Sequence, residues 1–175
     1  MAKYASQFSS VTMSVADGVS IGSAGTNGFM GVTPATALQR INVSEIYIGG
    51  EAASASTVAP MAFGRATTLA ATATAGSANT ILTDISGAAS GTNPLGFTNG
   101  STTAPIVTAA ARILRLSYNA YGGIVRWVAS PDQMVSAIGV AAYVAGTQGA
   151  GGQLILTQVS GTAATMSGHI LYEVV

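Results

Sequence analysis

The chain has 175 residues with six basic, six acidic and no cysteine side chains; 7% is charged and 49% hydrophobic, where soluble domains carry about 25% charge. That length suits one domain able to bury about 70% of its unfolded surface. A weak, balanced charge supplies no field for nucleic acid or an anionic membrane, and without cysteine there is no disulfide framework, thiolate nucleophile or cysteine zinc site.

So few ionised groups leave little to solvate the exterior, which points to a surface covered by other subunits. The cations fit that reading: Lys3 is the sole lysine, and the other five are Arg40, Arg65, Arg112, Arg115 and Arg126. Arginine suits fixed, partly buried hydrogen-bond geometry.

In chain order, residues 1–35 carry turn chemistry in VADGVSIGSAGTNGFMG and are expected as an N-terminal arm or peripheral strands, with a β-sandwich domain over 36–175. The start lacks the apolar segment of a signal peptide, so the product is expected to be made in a cytoplasm. RINVSEIYIGG (40–50) sets Ile41 and Val43 on one side and Ile46 and Ile48 on the other. The phase shift near Glu45 predicts a bulge or a strand buried on both faces. MAFGRATTL aligns Met61, Phe63, Arg65, Thr67 and Leu69 opposite Ala62 and Ala66.

Residues 71–108 are rich in Ala, Thr, Ser, Gly and Asn and read as a surface excursion, with a short strand or turn near ILTDI. Two strands follow, 110–118 and 124–129, joined as a hairpin by Asn119 to Gly123, where Asn and paired Gly provide positive-φ positions. Pro131 and Asp132 open a turn before a strand-like stretch around 134–145, whose apolar run is too short to span a bilayer as a helix. QLILTQVS (153–160) and MSGHILYEVV (166–175) complete the series; the last alternates His169, Leu171 and Glu173 against Ile170, Tyr172 and Val174. The pattern predicts an all-β chain, a β-sandwich of about eight to ten short strands with the jelly roll as its expected form.

Chemistry is sparse. His169 has no second histidine or cysteine with which to share a metal, and the acids Asp17, Glu45, Glu51, Asp84, Asp132 and Glu173 are scattered singly. The glycines of GTQGAGG (146–152) lack the Lys-Ser/Thr and following helix of a phosphate cradle and read as loop. Neither catalytic, cofactor nor metal residues are expected. Arg126 and Trp127 are neighbours in a strand and face opposite ways. With Trp127 toward the core, Arg126 points outward between Ile124 and Val128, an apolar strip on which its stem packs while its guanidinium meets a partner's carboxylate or carbonyl. Tyr118, Tyr121 and Trp127 gather about the same hairpin and serve either as core or as a binding platform. The interface candidates are therefore Arg126, Ile124, Val128, Tyr118, Tyr121 and Trp127.

Three runs, VSEIYIGGEAASASTVAPMAFGRATT (43–68), ILRLSYNAYGGIVRWVASPDQ (113–133) and SGTAATMSGHILYEVV (160–175), resemble a group of small proteins from tailed-bacteriophage structural gene clusters. The shared phrase falls on Arg126, Trp127, Val128 and Ala129. Here Ser130, Pro131 and Asp132 follow, where the family phrase runs from alanine straight to proline and glycine. The resemblance implies a head decoration or cement protein on the capsid exterior, a homotrimer contacting the phage major capsid protein. The alternative is a receptor- or glycan-binding head domain of a fibre or spike.

Overall fold

A computed structural model describes residues 3–15, 28–34, 38–53, 58–66, 80–81, 93–97, 107–138 and 152–175. Their strands are β1 (Lys3–Thr12), β2 (Phe29–Thr33), β3 (Arg40–Glu51), β4 (Val58–Arg65), β5 (Thr80–Ile81), β6 (Asn93–Phe97), β7 (Arg112–Asn119), β8 (Tyr121–Val128), β9 (Val135–Ile138), β10 (Leu154–Gln158) and β11 (Thr165–Val174). They form two sheets, β5-β1-β11-β3-β8 with β9 also on β3, and β6-β2-β10-β4-β7. Every strand pairing is antiparallel. The chain is thus an all-β sandwich. Among the described residues no helix is long and apolar enough to cross a membrane.

The first sheet takes its shape from β3. Its pairing with β11 slips between Leu171 and Tyr172, which face Glu45 and Val43 and leave Ser44 as the extra residue. Ser44 is bonded in place, its carbonyl accepting from the Ala129 N–H at 2.8 Å and its hydroxyl donating to the Leu171 carbonyl. This bulge resolves the phase shift: Ile41, Val43, Ile46 and Ile48 all join the one core, each fully buried. Burying each contributes about 1.5–3 kcal/mol.

The second sheet is covered on both sides at its centre, since every residue of β2 and of β10 is buried. Leu154 and Leu156 face the main core, while Ile155 joins Phe29, Ala66 and Val107 in a smaller cluster outside the sheet. This explains why QLILTQVS reads as an unbroken apolar run rather than an alternation.

Two expectations are corrected. The 110–129 segment is not a hairpin: β7 pairs with β4 and β8 with β3, so the chain changes sheets at the buried Ala120. In TNPLGFTNG, Asn93–Phe97 pair with β2 as an edge strand, where the missing N–H of Pro94 is tolerated. Of the arm or strands expected over 1–35, the described part forms strands: β1 pairs with β11, β2 pairs with β10, and Tyr4, Phe8, Phe29, Met30 and Val32 are core. A strand at Thr80–Ile81 adjoins the ILTDI segment and pairs with β1. Thr67, Leu69 and residues 139–145 lie outside the described residues.

Candidate functional site

The outer face of the first sheet carries the polar side chains that its strands bring into register. Gln7 of β1 pairs with His169 of β11, His169 with Tyr47 of β3, and Tyr47 with Arg126 of β8. These four side chains form one row across the sheet, because directly paired residues share a face. The Tyr47 and His169 rings lie nearly parallel, 7° apart in plane, with centroids separated by 5.2 Å.

Glu45 stands one rung away, between Leu171 and Val128. Its carboxylate accepts from Arg126 Nη2 at 2.7 Å and lies 3.0 Å from His169 Nε2. The carboxylate side chain is 10% exposed, against 61% for Arg126. The Arg126 hydrogen bond holds the Glu45 carboxyl below the usual carboxylate range, against the opposing effect of burial and with help from His169. Reciprocally, the Glu45 bond raises the Arg126 pKa.

A second cluster lies along the same face. Glu51 accepts from the Ser10 hydroxyl at 2.8 Å and from the Ser167 hydroxyl. Ser10 is the one described non-glycine residue at positive φ, 50°, within the β1 bulge between Phe8 and Val11. That conformation is costly, and here it brings the Ser10 N–H to Ser167 Oγ at 2.9 Å and the Ser10 hydroxyl to Glu51. The two hydroxyl bonds lower the Glu51 pKa, Ser167 contributing the larger effect. Between this cluster and the Tyr47/His169 pair lies an open groove of about 350 Å³, lined by Gln7, Tyr47, Gly49, Glu51, Ser167 and His169 among others. Gly49 opens its floor: a Cβ there would have as its nearest neighbour the Ser167 carbonyl oxygen, 4.0 Å away.

The interface candidates separate into four environments. Ile124, Arg126 and Val128 share the outer face of β8, with Ile124 64% and Val128 56% exposed. Trp127 pairs with Ile46 and packs half-buried against the core. Tyr118 is buried in β7 of the opposite sheet, where desolvation pushes its phenol up to about 12. Tyr121 is exposed beside Glu51. The three aromatics therefore form no common platform. Within the chain the carboxylate that Arg126 meets is that of Glu45. Sequence reasoning missed Glu45, His169, Ser10, Ser167 and Glu51 as neighbours, since they meet only through strands distant in the chain. The one early signal was the phase shift beside Glu45.

No protein-family model, curated protein or solved structure matches this chain.

The hydrogen bonds place Ser167 Oγ on Glu51 and His169 on Glu45, so the histidine and this serine serve different carboxylates. Among the described residues no three histidine, aspartate or glutamate side chains converge to hold a metal. What the face can do is present a surface in which Glu45 already neutralises Arg126.

This predicts an acid-sensitive fold. A carboxyl with a depressed folded pKa contributes stability that is present above its unfolded value, near 4.5, and is lost as pH falls through the folded value. Thermal melts from pH 6 downward are expected to show stability falling below about pH 4.5, with a shallower fall in Glu45→Gln. Equal acid slopes in the two proteins would remove Glu45 from the account.

Proposed function

We propose that the chain is a structural virion subunit, a decoration or cement protein on the exterior of a tailed-phage head, assembled in the host cytoplasm. It self-associates, as a trimer, and binds the phage major capsid protein. Neither nucleic acid nor a membrane is part of this reading. The observation that carries it is the outer face of β8. Ile124 and Val128 stand exposed on either side of Arg126, whose charge Glu45 already neutralises. β8 also ends its sheet, and an edge strand without lysine or proline, flanked by apolar side chains, is a template for another chain.

The strand order adds support. β1 pairs with β11, β2 with β10, β3 with β8 and β4 with β7, a nested series of antiparallel pairs that alternates between the sheets. We read that nesting as a jelly roll, an architecture that recurs in viral capsid domains. The resemblance of 43–68, 113–133 and 160–175 to tailed-phage structural proteins points the same way.

A cement subunit acts by mass action: it binds the closed shell better than separated capsomers and shifts the equilibrium toward the particle. With so few free charges its attachment should come from apolar burial and backbone hydrogen bonds and depend weakly on salt. The test is co-sedimentation of the purified chain with empty shells of its phage. Saturable binding that survives molar salt and raises the shell's disruption temperature is expected. Failure to bind the shells at any salt concentration would overturn the reading.

A further inference from the structure

We propose that the groove beside Glu51 is a socket for the Arg115 guanidinium of a second copy of this chain. The proposal rests on the self-association reading above and names a contact that carries it.

Among the described residues the contacts of the charged groups leave Arg115 unengaged and leave two carboxylates, Glu51 and the exposed Asp132, without a cation; of these two, Glu51 lines a groove. Arg126 is held by Glu45, Lys3 lies 3.8 Å from Glu173, and Arg40 and Arg65 donate to the hydroxyl and the carbonyl of Ser136. Arg112 also has bonded contacts. Among the described residues, Arg115 is the cation that none of these contacts engages, and it is exposed. Glu51 is bonded by two serine hydroxyls but by no cation, in a groove whose lining contains neither lysine nor arginine.

These two groups cannot meet within one copy. Arg115 alternates in β7 with Leu114 and Leu116, which pack on the core, so it projects from the outer face of its sheet. Glu51 projects from the outer face of the opposite sheet, as do its paired neighbour Tyr121 and, beside Gly49, Ile124. The match is therefore head to tail between copies, a geometry that closes into a ring when the rotation permits.

The surroundings of the two groups are complementary as well. Arg115 has exposed Ile113 beside it on the same side of β7, and the groove has exposed Tyr121 and Ile124 at its rim. An arginine stem packs on such apolar side chains while its planar fork donates two parallel bonds to a carboxylate. The Glu51 carboxylate is prepared for this: the two hydroxyls fix its orientation, and Gly49 leaves the approach open.

The experiment is sedimentation velocity on the full chain and on folded variants checked by circular dichroism. Arg115→Glu and Glu51→Arg are each expected to weaken association by about tenfold or more, and the double exchange to restore it to within about threefold of wild type. Glu51→Gln, which keeps an acceptor oxygen for one serine, places an N–H donor at the other and removes the charge, should also weaken it, and Gly49→Tyr should do so by filling the groove. Single reversals that associate like wild type, or a double exchange no better than the singles, would overturn the socket while leaving self-association standing. A wild-type chain that is monomeric throughout would overturn both.

Discussion

Gly50→Ala is expected to cost about 3 kcal/mol, a steric insertion with little room to relax, while the adjacent Gly49→Ala stays within about 0.5 kcal/mol of wild type. The two glycines lie on opposite faces of β3. A Cβ at Gly50 would lie 2.3 Å from the Ala120 carbonyl oxygen, 2.5 Å from its carbon and 2.7 Å from its Cα. All three are backbone atoms, so no rotamer change relieves the contact. Ala120 is the fully buried corner at which the chain passes from one sheet to the other, and its carbonyl accepts from the Ala52 N–H at 2.9 Å. Displacing it disturbs β7 and β8 together. Urea unfolding of the two variants measures the difference, and similar losses in both would show that the corner is not pinned at Ala120.

Trp127→Ala is expected to cost about 3 kcal/mol, the lower end for a buried tryptophan, because the ring is only half-buried. Its neighbour should behave differently. Arg126→Ala removes the donor that does most to keep Glu45 ionised, so the folded protein is expected to retain its neutral-pH structure while acid unfolding moves to higher pH. The sign follows from linkage: with the arginine gone the folded carboxyl pKa rises toward its unfolded value, and the stability gained above that value shrinks. Melts at neutral and acid pH separate the two effects. A tryptophan variant as stable as wild type, or an arginine variant with an unchanged acid limb, would contradict the division between inner and outer faces of β8.

Particular residues show how far the sequence could be read. The Ser44 bulge was legible because two pairs of branched aliphatics, Ile41/Val43 and Ile46/Ile48, fall out of phase, and a bulge is the cheapest way to return both to one core. The sandwich itself was legible from short β-rich runs and the near absence of helical periodicity. The turn from β7 to β8 was misread because Asn119, Gly122 and Gly123 satisfy the backbone needs of a hairpin and of a sheet-changing corner equally. What distinguishes them is the buried Ala120, whose small size matters only once Gly50 is seen against it. Pro94 hid an edge strand among turn residues. The Glu45, Arg126 and His169 contacts join residues 81 and 124 positions apart, and no local pattern encodes such pairings; the polar row across β1, β11, β3 and β8 exists only through register.

The same register explains why the outer face is hydrogen-bonded across its strands. Among the described residues Lys3, Arg126 and His169 lie against carboxylates of their own chain, and the side chains flanking Arg126 on the outer face of β8 are apolar. The claim that such a face exists to be covered is tested most directly by sedimentation equilibrium of the purified full-length chain across a wide concentration range at moderate salt. A discrete oligomer, with a mass that converges on three copies and dissociates when Ile124 and Val128 are both replaced by aspartate, is the predicted result. A single species of monomer mass at every concentration, unchanged by those replacements, would contradict it.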